Sequence, residues 1–213
     1  MSTTRRGLLG GALTLAAAPL LLRAQPVRFQ AGVHYIELPQ RVPVGSGGPE
    51  VAEMFSYKCP HCFSFEPLVE RWLETKPEGV AFHRVPVGFG RPDWQLLARA
   101  YYVAEELEAL ETMNQALFDA LHVQGRRLAT RDELAEVFVA NGIDRAAFDS
   151  AFDSFAVETK FRRAQQLVQR YRISGVPTLV INGQYRTTGS MAGGNAQMFE
   201  VAEFLIARDE AAG

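Results

Sequence analysis

The chain has 213 residues, 47% of them hydrophobic and 22% charged, with a formal net charge of −2. That is enough apolar material for a sizeable core, and the near balance of charge argues against a nucleic-acid partner. Two cysteines in the whole length exclude a disulfide-dense scaffold.

Residues 1–24, MSTTRRGLLGGALTLAAAPLLLRA, carry the three parts of an export signal: the basic pair Arg5 and Arg6, an apolar stretch from 7 to 22, and Leu22-Arg23-Ala24 for cleavage near Ala24. Pro19 interrupts a stretch already shorter than about 18 strong apolar residues, so cleavage is expected over a retained membrane anchor. Thr4-Arg5-Arg6-Gly7-Leu8-Leu9 resembles a twin-arginine signal without its usual Phe, which leaves the export route open. Removing this leader leaves 189 residues, and the 22 basic residues fall to 19 against 24 acidic ones, a charge of −5. The remainder suits one domain, or one domain with a large insertion.

VHYIEL (33–38) and EVAEMFSY (50–57) read as strands, separated by a Pro- and Gly-rich loop. Pro60 opens a helix predicted over 60–75, in which Pro67 removes one backbone bond. GVAFHRVPV (79–87) is a third strand. From Trp94 the pattern turns helical: Trp94, Leu97, Tyr101 and Ala104 share a face, and Thr130-Arg131-Asp132-Glu133 is a capping box with Gly142 at the helix exit. A short helix follows around Ala147–Phe152, then a long one over 155–172 with Val157, Phe161, Ala164, Val168 and Tyr171 along one stripe. Asn182-Gly183 marks a two-residue hairpin turn, and a last helix is predicted over 195–208.

The chemistry concentrates at Cys59-Pro60-His61-Cys62, which follows the second strand and opens a helix. Unpaired N–H groups and the positive end of the helix dipole favour a thiolate on Cys59. His61 can add a hydrogen bond or a charge, and Cys62 lies one turn on, within reach for a small disulfide. Half a zinc site is the competing reading, but no paired-histidine spacing supplies the remaining ligands, so no metal is expected. An inert structural disulfide is another, weakened because so short a loop restrains the unfolded chain little. Pro177, in GVPT just before an apolar strand, is either an ordinary strand-start proline or a cis-proline that leaves Val176 main-chain groups free to pair with an extended peptide. Glu53 interrupts an apolar strand six residues before Cys59. It faces water if the strand is one-sided; otherwise it lies under the thiols and moves protons to or from Cys62.

CPHC, a helical block, and GVPT about 115 residues later, with EMFSYKCPHCFSFEP and YRISGVPTLVINGQY around them, resemble the DsbA family of the thioredoxin superfamily over nearly all of the chain after the leader. The resemblance implies an α/β fold, a thioredoxin fold with an inserted all-helical domain, divided as 25–93, 94–153 and 154–213. It implies a protein disulfide oxidoreductase of the periplasm that donates its Cys59-Cys62 disulfide to reduced exported proteins and needs no cofactor. Cys59 would be the attacking and accepting thiol, Cys62 the resolving thiol, His61 the thiolate stabiliser, Pro177 the cis-proline and Glu53 the buried acid, with Val176 and Met191 in the substrate site. A quinone-linked membrane oxidase of the DsbB type would reoxidise a monomer. Lys58 departs from the pattern, being basic where some members carry an aromatic. A reductase or isomerase using the same dithiol, and a binding module with a vestigial motif, stay open at this point.

Overall fold

A computed structural model of the chain describes residues 28–45 and 47–212. The expected leader lies outside the described residues. The elements run β1 (Ile36–Glu37), β2 (Glu50–Phe55), α1 (Pro60–Thr75), β3 (Ala81–Pro86), α2 (Pro92–Glu106), α3 (Leu110–His122), α4 (Arg131–Ala140), α5 (Arg145–Phe152), α6 (Phe155–Arg170), β4 (Thr178–Ile181), β5 (Tyr185–Thr187), α7 (Gly189–Ala192) and α8 (Gln197–Ala212). No helix among the described residues is long and apolar enough to cross a membrane.

The strands form one mixed sheet in the order β1-β5-β4-β2-β3, with β2 parallel to β3 and antiparallel to β4. All six residues of β2 are buried, because strands flank it and helices cover both of its faces. Alternation along the strand splits the core. Val51, Leu179 and Ile181 pack with Phe65 and Val69 of α1 and with Val201 and Leu205 of α8. Ala52, Met54 and Val180 pack with residues of α2 and α6 such as Val103 and Leu167. Helices α2 to α6 occupy the stretch between β3 and β4, and α2 to α5 fall within or next to the helical insertion expected over 94–153.

Local chemistry explains the boundaries. Thr130 and Glu133 form the reciprocal capping box of α4, and Asp144 and Ser154 cap α5 and α6 by accepting main-chain N–H bonds. The β4–β5 turn puts Asn182 at φ 50° and Gly183 at φ 61°, the left-handed pair expected there. The first strand is shorter than expected, because the three-residue β5 pairs with only Ile36 and Glu37. Along α6, Val157, Ala164 and Val168 are buried, and Phe161 is half-covered. Two helices fall where the sequence predicts no separate element: α3, and the four-residue α7 between the hairpin and the last helix.

Candidate active site

Strand β2 delivers the chain into a turn in which Cys59 N–H donates to Ser56 O at 3.0 Å. Cys59 is then the N-cap of α1, in extended conformation with φ −89°, and Pro60 fills the first turn. The N–H groups of Cys62 and Phe63 both donate to Cys59 O. Both cysteines are free thiols, Cys59 7% exposed and Cys62 fully buried. Because β4 runs antiparallel to β2, with Met54 opposite Thr178, the loop before β4 meets the start of α1. There the Val176-Pro177 bond is cis, and the Cys59 thiol donates to Val176 O at 3.5 Å.

Position separates the two thiols. The hydrogen bond from Cys62 brings the Cys59 thiol down to about 6 against the opposing effect of burial, with smaller help from the main-chain N–H groups of Cys62 and His61 and from the His61 charge. Burial pushes Cys62 far up, reinforced by its bond to Cys59 and by the charge of Glu53. At neutral pH the thiolate therefore belongs to Cys59 and the proton to Cys62. His61 is exposed, and it acts on Cys59 less than Cys62 does.

Glu53 lies wholly inside, so the one-sided-strand reading does not hold. It is in register with Arg84 of β3, whose Nε is 3.4 Å from Glu53 Oε2 and whose Nη2 reaches Glu66 at 2.8 Å and Glu70 at 3.0 Å. Asn114 of α3 donates to Glu66 at 3.0 Å and accepts from the Tyr57 hydroxyl at 3.1 Å. Burial first, and the Glu66 charge second, raise the Glu53 carboxyl to about 8, with Arg84 only partly offsetting them. Oε1 of both Glu53 and Glu66 is buried without a protein partner. Sequence reasoning passed over Arg84, Glu66 and Asn114. Cys62, Glu66 and Glu70, four apart on one helix face, were the available signal for Glu66.

On the Pro177 side, Met191 lines a cavity of about 320 Å³ together with Gly175, Thr178 and Arg186. On the other side His122 Nε2 bonds to Tyr57 O at 2.7 Å, and its ring stacks on Phe63. Among the described residues no cluster of three or more His, Cys, Asp or Glu side chains is placed to hold a metal.

A dithiol at the head of a helix, facing a cis-proline loop across a mixed sheet, defines a thiol-disulfide oxidoreductase with a thioredoxin fold and an inserted helical domain. Residues 50–205 match the family of the DSBA-like thioredoxin domain, and the chain belongs to the DsbA family. It is 40% identical to the thiol:disulfide interchange protein DsbA of Azotobacter vinelandii over 88% of this chain and 87% of that one. The crystal structure of Pseudomonas aeruginosa DsbA is similar at a TM-score of 0.81 and 37% identity, covering 86% of this chain and 96% of that one. A variant of Proteus mirabilis DsbA, solved with a non-covalently bound peptide, is similar at a TM-score of 0.71 and 27% identity, covering 84% of this chain and 98% of that one. The chain is accordingly an enzyme, a thiol-disulfide oxidoreductase.

Proposed function

We propose that Cys59 is the sulfur attacked by substrate and that Cys62 is the thiol released and later resolving. The observation that carries this is the division of thiol character: Cys59 at the N-cap with its thiol lowered to about 6, Cys62 fully buried with its thiol raised. A thiolate of a reduced exported protein attacks Cys59 Sγ, breaking the Cys59–Cys62 bond and forming a substrate–Cys59 disulfide. Cys62 leaves as a thiolate and takes up a proton. A second substrate thiolate then attacks the substrate sulfur, expelling the Cys59 thiolate. Two electrons pass from substrate to enzyme. Of the two substrate protons, one ends on Cys62 and one in solvent.

Glu53, protonated near neutrality and acting on Cys62 from below, is the group proposed to give Cys62 its proton and to take it back on reoxidation. Val176, whose carbonyl already touches Cys59, would pair its main chain with an extended substrate, and Pro177 sets the end of that edge. Met191 would receive a substrate side chain in the neighbouring cavity, a placement in keeping with a relative that binds a peptide non-covalently. His61 adds a smaller stabilisation of the Cys59 thiolate. The setting is the periplasm, with the chain acting as a monomer and reoxidised by a quinone-linked membrane oxidase of the DsbB type. Trapping tests the division of labour. Cys62→Ala should accumulate a covalent disulfide with a peptide supplied in its disulfide form and Cys59→Ala should not, whereas the reverse pattern would overturn the assignment.

A further inference from the structure

Lys58 stands directly before Cys59 in the turn that Cys59 N–H closes on Ser56 O. Its Nζ lies 3.1 Å from Asp93 Oδ2, with the two side chains 23% and 37% exposed. Asp93 sits in the first turn of α2, next to Pro92, where the helix dipole favours an acid. The ion pair therefore joins the redox turn to the first helix of the inserted block. We propose that Lys58 and Asp93 are a tuning pair for Cys59, in which Asp93 cancels an ammonium that would otherwise stabilise the thiolate and make the enzyme a stronger oxidant.

A lone charge beside the turn acts on the thiolate through Coulomb's law, whereas an ion pair of 3.1 Å acts as a dipole whose field fades faster with distance. Removing either charge leaves the other uncompensated. The two removals therefore have opposite signs. The remaining groups near Cys59 are His61 and Cys62 on α1, Glu53 on β2 below Cys62, and the main chain of Val176. They are the same in every variant and drop out of the comparison. Asp93 is itself held below the usual carboxylate range by Lys58, against the effect of its own desolvation.

The proposal rests on Cys59 being the reactive thiol. Its test is the ultraviolet titration of the thiolate, with the redox equilibrium against glutathione read at a pH above the Cys59 value. Both are done at low ionic strength, since salt screens an exposed pair. Asp93→Asn should lower the Cys59 value by about half a unit and shift the equilibrium about threefold toward reduced enzyme. Lys58→Met should move both by a similar amount the other way, and the double variant should return close to the parent. A merely structural bridge would shift both single variants in the same direction, because each breaks the same contact. That result, no shift in either, or a double variant that fails to return would overturn the proposal. A parent with no thiolate titrating below the ordinary thiol range would instead overturn the reading of Cys59 itself, and the pair with it.

Discussion

Two cysteines three residues apart meet opposite surroundings, and the difference has consequences that can be measured one side chain at a time. With Cys59 lowered to about 6 and Cys62 raised, iodoacetamide at pH 6 should alkylate Cys59 faster by at least about tenfold, read by peptide mass after partial labelling. Glu53 makes a second test. Its folded value of about 8 exceeds the ordinary value of 4.5, so the folded state holds a proton that the unfolded state has lost. The stabilisation is full below about 4.5 and is lost as pH rises through about 8. Reduced Glu53→Gln should therefore lose less stability than reduced parent between pH 5 and pH 8, as paired urea melts would show. The same variant should slow formation of the mixed disulfide, the step in which Cys62 leaves and takes up its proton, on the order of a hundredfold, having no proton to exchange with Cys62. The cysteines, Pro177 and Glu53 were legible because each breaks a local expectation: paired thiols in an otherwise cysteine-free chain, a proline before a strand, an acid in an apolar run. Arg84 and Asn114 were not, since each is ordinary in its own segment and gains meaning only when β3, α1 and α3 converge; Glu66 showed only its spacing from Cys62.

Among the elements, those with their own punctuation were read closely. Helix α1 spans 60–75 as expected, because a strand end, a proline at its start and a clear apolar face define it. The capping box placed α4, and Asn182-Gly183 placed the hairpin. Helix α3 is preceded by Ala109, an N-cap with no side-chain bond, and so offered no start signal; its stripe of Met113, Leu117 and Ala120 was the clue in the sequence. Strand β1 was overread because the run of β-forming and apolar residues extends to Tyr35 and Leu38, which are buried without belonging to the strand. Two substitutions test the scaffold apart from the chemistry. Thr130→Ala removes the side-chain half of the capping box, the bond from Glu133 N–H to Thr130 Oγ1, and should cost about 1 kcal/mol in a urea melt while leaving the redox equilibrium unchanged. Gly183→Ala should cost more, at least about 2 kcal/mol: φ is 61°, and an added Cβ would sit 2.3 Å from Val42 O.

For the whole molecule, oxidation state and stability are linked through Cys59. Its folded value of about 6 lies below the ordinary thiol value, so the thiolate's contribution to the reduced fold is full above the unfolded value and disappears as pH falls through 6. Taking an unfolded value of about 8.5, raising the pH from 5 to 8 should favour the reduced protein over the oxidised one by roughly 2.5 kcal/mol. Paired urea melts of the two forms at those pH values would show it, and a gap that stays constant would mean that no such thiolate exists. The same thiolate decides which way electrons run, because whatever stabilises the reduced form makes the disulfide a better oxidant, by about 30 mV for each pKa unit. The reduction potential of the Cys59–Cys62 pair, measured by equilibration with glutathione at pH 7, is therefore the most direct test of disulfide donation. A value above about −200 mV is predicted, and one at or below it, toward the roughly −270 mV of a thioredoxin-type reductant, would contradict the account.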